Sequence, residues 1–402
     1  MRVYLTTNSP GEVATWVRPV VDELERTRRS TGRPCEVYVF VTPCRYASGE
    51  EADVLASMPQ VARIFGTRET ARYAVTGRAP RGFRHEGPGV LLFLGGEIKL
   101  AAWLARRLGV PAALYTEGFV NTARAFRRIY VPYRRAKDRA LRHGAREEQV
   151  RVVGNLMVDS VQPYVTTKEK AREALGLAPE GPVVAVLPGS RRFEWEVLVP
   201  FYSQTVRELR RKLPGLEAVL AISPFSEALK DAYGLHVAPG TWVRAEVEGE
   251  QVIAASHLSQ IAIQAADLVL TLPGSNTLEA AALRRAAVVS LPLFKPEDVP
   301  LDGLAGMIGN IPLIGSALKR FVVLQYARRV PFTALPNRIA GKEIVPELKG
   351  RSLQPWEVTS VALELLMDDH VRERIAKESH SAVGEAGAAR TIVADILRLA
   401  AE

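Results

Sequence analysis

The sequence predicts an α/β protein built as two doubly wound domains with a helical tail. Three observations carry that expectation. Short apolar runs alternate with helix-period stretches along the chain, the pattern of strand–helix–strand units on parallel sheets. A junction of apolar run, tight turn and helix, LPGSRRFE at Leu187–Glu194, returns as LPGSNTLE at Leu272–Glu279. The 402 residues, 47% of them hydrophobic, are enough for two cores.

In chain order, Arg2–Thr6 reads as a strand entering the turn Asn8-Ser9-Pro10-Gly11-Glu12. A helix over about 13–28 follows, with Val17, Val20, Val21 and Leu24 on one face. Glu36–Val41 and Val90–Leu94 are the next strands, the latter ending in Gly95-Gly96-Glu97. A helix carrying Leu100, Trp103, Leu104 and Leu108 closes at Gly109. Pro111–Tyr115 ends in Thr116-Glu117-Gly118, and Arg128–Val131 and Val150–Val153 complete the first set of strands. Ligands of doubly wound sheets bind beyond the carboxyl ends of strands, where Glu12, Glu97 and Glu117 all fall. Pro163 interrupts the pattern, and Thr166-Thr167-Lys168-Glu169 is a capping box opening a helix that Gly176 ends. The alternation then restarts with strands at Val183–Leu187, Ala218–Ile222, Val252–Ile253, Leu268–Leu272, Ala287–Leu291 and Phe332–Leu335. Helices run from Trp356 to the end, broken at Gly384–Gly387. The expected domains are 1–163, 164–355 and a helical segment 356–402 that packs back on the first domain.

Charge narrows the partners. A formal net charge of +9 favours anions: phosphorylated metabolites, an acidic membrane face or nucleic acid. Nucleic acid is disfavoured, because the basic residues are scattered and no zinc-finger or RNP-type motif occurs. Cys35 and Cys44 match no metal spacing and make no disulfide framework, so no metal is expected. The opening MRVYLTTNSPGE lacks a signal-peptide apolar segment, and no run reaches the roughly 18 apolar residues of a spanning helix. A cytoplasmic protein is expected. The apolar stretch Leu304–Leu318, followed by Lys319, Arg320, Arg328 and Arg329, suits a segment lying in a membrane interface as well as it suits a core helix pair.

The repeated junction carries the chemistry. Gly189 and Gly274 permit tight turns, Ser190 and Ser275 are good N-caps, and the first helical amides then point at whatever lies above the strand end. Each serine is followed four residues on by a glutamate, Glu194 or Glu279. Two such corners, with Asn276 and with Arg191 offering paired guanidinium donors, suit a diphosphate held without a metal. Ordinary βα turns and a dipole-favoured carboxylate are the plain alternatives.

The strings VLPGSRRFE (186–194), DLVLTLPGSNTLEAA (267–281), LPNRIAGKEIVPEL (335–348) and VGNLMV (153–158) resemble those of lipid-A-disaccharide synthases. The resemblance implies a GT-B fold, two Rossmann-like domains facing a cleft. It also implies inverting, metal-independent transfer of an acylated glucosamine from UDP to an acylated, lipid-linked sugar. No cofactor beyond the UDP-sugar donor is implied. It places Glu279 on the ribose hydroxyls and Asn337, Gly341 and Glu343 along the donor cleft; Lys342 and Glu347 in the same string could equally be helix surface charge. The first domain departs from the family. Gly11-Glu12 keep the start of its GEASGD turn, but Ala14-Thr15-Trp16 replace Ser-Gly-Asp, and Asn155 stands where the family has histidine. FLGGEI (93–98) stands where the family carries an aspartate, leaving Glu97 as first candidate for the base, ahead of Glu12 and Glu117. His257 is a lesser candidate beside the base or nucleobase. Partner expectations are the UDP-sugar, an acylated or lipid acceptor, an anionic membrane surface on the inner face of the cell membrane, and a second copy of the chain. Two other functions remain open: a UDP-N-acetylglucosamine 2-epimerase, and a non-catalytic protein that binds UDP-sugar at a membrane.

Overall fold

In the computed structural model, which describes residues 1–43, 51–161, 166–293 and 330–402, the apolar runs become strands of two separate seven-stranded sheets. The first contains β1 (Arg2–Thr7), β2 (Glu36–Val41), β3 (Val61–Phe65), β4 (Gly89–Phe93), β5 (Ala112–Tyr115), β6 (Arg128–Val131) and β7 (Val150–Val152). Its order is β3-β2-β1-β4-β5-β6-β7, every neighbour parallel. The second contains β8 (Val183–Leu187), β9 (Glu217–Ile222), β10 (Trp242–Val247), β11 (Glu250–Ser256), β12 (Leu268–Thr271), β13 (Ala286–Pro292) and β14 (Glu347–Gly350), in the order β10-β11-β9-β8-β12-β13-β14.

Parallel strands in such sheets are buried on both faces, which is why they read as continuous apolar runs rather than alternating ones. On one face of the first sheet, Val3 and Leu5 pack against Val20, Val21 and Leu24 of the helix Arg18–Thr31. On the other, Tyr4, Phe40, Leu91 and Phe93 meet Ala101, Leu104 and Leu108 of the helix Ile98–Leu108. Each such side chain, fully buried, contributes about 1.5–3 kcal/mol.

Contacts divide the chain into Met1–Pro163 with Gly384–Glu402, and Tyr164–Val383. The helical segment after 355 is thus shared out. Helices Pro355–Met367 and Asp369–Val383 lie in the second unit, and only Ala388–Leu399 lies in the first. That last helix is held by chemistry as well as by its apolar face. Asp395 accepts from the Tyr130 hydroxyl at 2.7 Å and pairs with Arg151 at 2.6 Å and Arg128 at 3.4 Å. At the helix start, Asp159 accepts from the amides of Gly387 and Ala389.

Several elements differ from the sequence expectation. β3 is additional: VARIF, interrupted by Arg63, is the edge strand of its sheet and only Phe65 in it is fully buried. β10 is antiparallel to β11, so the second sheet is not wholly parallel. Their turn, Glu248-Gly249, has φ of 51° and 75°, a two-residue hairpin of the twist-matched kind. The helix expected over 13–28 begins at Pro10 and passes through a π-helical turn, Val13–Val17, before becoming regular at Arg18. Phe332–Leu335 is not a strand. Ala334 is the extended residue before a helix, Leu335–Ala340, that Pro336 starts, and the last strand is β14. The segment 304–324 and Cys44 lie outside the described residues.

Candidate active site

Strand order reverses between β1 and β4 in the first sheet and between β8 and β12 in the second. At such a switch point the flanking connections leave in opposite directions and open a crevice beyond the strand ends. The predicted residues at the ends of β1 and β4, and both PGS corners, fall at these two places.

At the second switch point, Leu187 and Thr271 are register partners, so the two corners stand side by side. Alike in sequence, they are unlike in structure. In the first, Gly189 has φ +99°, and a Cβ there would collide with the Glu194 carboxylate. Arg191, not Ser190, is the N-cap of the helix Arg192–Lys212. Glu194 accepts from the amides of Ser190 at 2.8 Å and Arg191 at 3.0 Å, and its other oxygen meets the Arg191 guanidinium at 2.9 Å. The Ser190 and Arg191 amides of this corner are therefore occupied. It presents the half-exposed Arg191 head, aimed by Glu194.

The second corner is open. Gly274, at φ +152°, is the N-cap, and Ser275 is the first residue of the helix Ser275–Ala282 rather than its cap. Among the described residues the amides of Gly274, Ser275 and Asn276 have no intramolecular acceptor, which leaves an N-terminal donor cluster for an anion. Asn276 Nδ2 donates to Thr271 Oγ1 at 3.4 Å, and Thr271 Oγ1 donates to the Leu187 carbonyl at 3.2 Å, tying the corners together. Glu279 lies one turn along this helix. Burial pushes its carboxyl up to about 7, against an opposing hydrogen bond with Gln260. His257 ends β11 with φ 57°, its amide donating to the Ile222 carbonyl.

The LPN string turns its asparagine inward. Asn337 is fully buried. Its Nδ2 donates to the Val345 carbonyl at 2.8 Å and Glu347 Oε1 at 2.7 Å, while its Oδ1 accepts from the amides of Ile344 and Val345. Every hydrogen-bonding site it needs is filled, so the expectation that it lines a donor cleft is corrected. Glu347, for which the sequence left surface charge open, accepts from Thr333 and Ala334 as well and organises the turn before the helix. Gly341 is the left-handed cap that ends that helix, with φ 73°. Glu343 is exposed and accepts from the Glu347 amide, and exposed Lys342 pairs with Glu378 at 2.9 Å. The string still supports the open corner. Thr277 Oγ1 donates to the Gly274 carbonyl at 2.8 Å and accepts from the Leu335 amide at 3.1 Å. Nothing in spacing announces this clasp, because its members meet only once β13 and β14 pair.

At the first switch point the three carboxylates separate. Glu97, ranked first from sequence, is exposed and caps its own helix, accepting from the Lys99 amide at 3.3 Å. Glu117 is half-buried beyond β5, its carbonyl accepting from Arg139. Glu12 sits against the end of β4. A Cβ on Gly95 would collide with its carboxylate, so the missing side chain at Gly95 is what lets the two approach. Burial pushes Glu12 up to about 7, opposed by hydrogen bonds from the amides of Asn8 and Ser9. A carboxyl near neutrality at a strand end is what a general base requires. Gly11, beside it, is exposed and accepts from the Thr15 hydroxyl at 2.7 Å. No group of three or more His, Cys, Asp or Glu side chains suited to a metal ion occurs among the described residues. No helix among them is long and apolar enough to cross a membrane.

Residues 146–299, which include both corners, match the family model described as lipid-A-disaccharide synthetase. The chain is 31% identical over 227 residues to the lipid-A-disaccharide synthase of Paraburkholderia xenovorans, covering 56% of this chain and 49% of that protein. It is 32% identical over 228 residues to the one from Burkholderia thailandensis, with the same coverage. It thus spans about half the length of the curated relatives it matches. The fold is shared more widely. A UDP-GlcNAc 2-epimerase from Neisseria meningitidis, solved with UDP-GlcNAc bound, superposes with TM-score 0.60 at 14% identity, covering 99% of this chain and 100% of that one. MurG from Acinetobacter baumannii gives 0.51 at 13% identity, covering 99% and 100%. The fold is accordingly GT-B, two Rossmann-like domains, and over residues 146–299 the chain is similar to the lipid-A-disaccharide synthetase family.

Proposed function

We propose that this protein is a glycosyltransferase that moves a glucosamine-type sugar from UDP to an acylated or lipid-linked sugar acceptor, with inversion and without a metal. The observation that carries the reading is the open Gly274–Asn276 corner, inside the segment that matches the family, with Arg191 on the neighbouring strand end. The corner's amides and the guanidinium take up negative charge as the diphosphate leaves, the work that a bound cation does in other enzymes. Glu279 accepts hydrogen bonds from the ribose hydroxyls.

Glu12 is the base in this reading, in preference to Glu97. It takes the proton of the acceptor hydroxyl, the freed oxygen pair attacks the anomeric carbon, and the bond from that carbon to UDP breaks. Glu97 is spent on its helix cap, whereas Glu12, against the end of β4, is raised toward neutrality by burial. A lipid-linked acceptor would bring the protein to a cytoplasm-facing membrane surface, where a net charge of +9 favours anionic lipid.

The test is UDP release on mixing the protein with a UDP-acylglucosamine and an acylated glucosamine 1-phosphate. Release only with both present supports transfer. Donor consumption without acceptor would point to an epimerase or hydrolase, and UDP binding with no turnover to a binding protein. Loss of turnover on chelation would overturn the metal-free mechanism.

A further inference from the structure

Buried polar atoms are paired in nearly all native proteins, so orphans that cluster call for an explanation. Four occur within the first sixteen residues: Thr6 Oγ1, on the opposite face of β1, and three others. Thr7 Oγ1, Asn8 Oδ1 and Trp16 Nε1 are buried and have no hydrogen-bond partner among the described residues. Thr7 ends β1 on the face that carries Val3 and Leu5, and Trp16 packs on that same apolar cluster. Glu12 and Trp16 are four residues apart where the π-helical turn begins, and both are half-buried. Pi-helical turns are rare and recur at functional sites, because they re-aim side chains.

The Trp16 ring is fixed from below. It meets Tyr115 edge to face at 5.3 Å, and the Tyr115 hydroxyl donates to Asn155 Oδ1 at 3.4 Å and accepts from the Leu156 amide at 3.2 Å. Asn155 Oδ1 also accepts from the Met157 amide at 3.0 Å. The indole is therefore held by a satisfied scaffold while its own N–H is left over, at a cost of about 1–3 kcal/mol. The unpaired set comprises one donor (the indole), one acceptor (the Asn8 oxygen) and one group that is both (the Thr7 hydroxyl). Among the described residues no cation figures among the groups acting on Glu12. A ligand that supplies both donors and acceptors without charge is a saccharide hydroxyl array.

We propose that Trp16, Asn8 and Thr7 form the subsite for the uncharged, hydroxyl-bearing edge of the acceptor sugar, with the Trp16 indole N–H as the donor that selects an acceptor oxygen. The proposal rests on the glycosyl-transfer reading and adds to it which part of the acceptor this site takes. The phosphate and acyl chains of the acceptor bind elsewhere. Trp16 stands where the turn of the resembled family has aspartate, so the exchange swaps an acceptor side chain for a donor.

The test uses the full chain labelled with 15N-tryptophan, the W16F variant to assign the resonance, and a soluble short-chain N-acylglucosamine 1-phosphate as probe. The Trp16 indole signal should move as the probe saturates. W16F, which keeps an aromatic ring and loses the N–H, should weaken probe binding by about 2- to 13-fold, the range of one neutral hydrogen bond, with UDP affinity unchanged. Asn8→Ala, which retains the backbone bond to Glu12, should weaken the probe similarly and guards against a folding defect in W16F. Equal probe affinity in wild type and both variants overturns the proposal, as does a Trp16 signal that stays put at saturation. Probe binding that fails while UDP still binds sinks the subsite alone. Failure of both sinks the glycosyl-transfer reading, and the subsite with it.

Discussion

Glu12→Gln separates the chemistry of the proposed base from the stability of the fold. Raising a carboxyl from its ordinary 4.5 to about 7 corresponds to at most about 3.4 kcal/mol against the ionised form, at 1.36 kcal/mol per pH unit. Glu12 is only half-buried, so solvent reduces this to roughly 1–2 kcal/mol. The sign follows from linkage. Between pH 4.5 and 7 the folded protein holds a proton that the unfolded chain has released, so stability falls as pH rises through that window. Glutamine is the same size and carries no charge to bury. The variant should match wild type at pH 4 and exceed it by roughly 1–2 kcal/mol at pH 8, read by denaturant unfolding at both pH values. Activity should move oppositely. Wild-type turnover should rise with an apparent pKa near 7, the value at which Glu12 ionises, and the variant should lose about 100- to 10,000-fold, the usual contribution of a general base. A variant with the same pH-dependence of stability as wild type would refute the burial argument. One that keeps its turnover would return the base to Glu97 or Glu117.

Arg191→Ala should weaken UDP binding by roughly 1.5–3 kcal/mol in calorimetry, the range for hydrogen bonds to charged groups, and unchanged affinity would remove Arg191 from the site. Gly95→Ala would drive a methyl into the Glu12 carboxylate, so it should cost turnover while UDP affinity stays as it is. Equal turnover would mean that the Glu12 pocket has no part in the reaction. Asn337→Ala strips four buried hydrogen bonds and should lower stability by about 2–4 kcal/mol, at 1–3 kcal/mol for each group left unsatisfied with partial relaxation. A drop below 1 kcal/mol would show that the clasp before β14 is dispensable. Asp395→Ala leaves Arg151 and Tyr130 without their partner and should release the Ala388–Leu399 helix to faster amide exchange. Unchanged protection there would rule out the Asp395 cluster as its anchor.

The sequence by itself determined the periodic part of this protein. Parallel strands are buried on both faces, so Val183–Leu187 and Leu268–Thr271 are continuous apolar runs that cannot be mistaken for surface. A Pro-Gly-Ser after such a run marks a strand end because few residues tolerate the φ that Gly189 and Gly274 adopt. Positions beyond strand ends were legible for the same reason. Tertiary structure alone decided which look-alikes differ. Glu194 closes the first corner while Gly274–Asn276 leaves the second open, although both read PGS. Glu97 and Glu12 each follow a glycine-bearing turn, yet one faces water and the other is walled in by Gly95. Asn337 looked like a ligand contact and is a clasp, because its partners Val345 and Glu347 reach it only through the pairing of β13 with β14. The physical reason is common to all of them. A residue's type and local spacing fix what it can donate, accept or bury, but the desolvation that makes Glu12 basic, and the partner that consumes or spares a hydrogen-bonding group, come from segments distant in the chain.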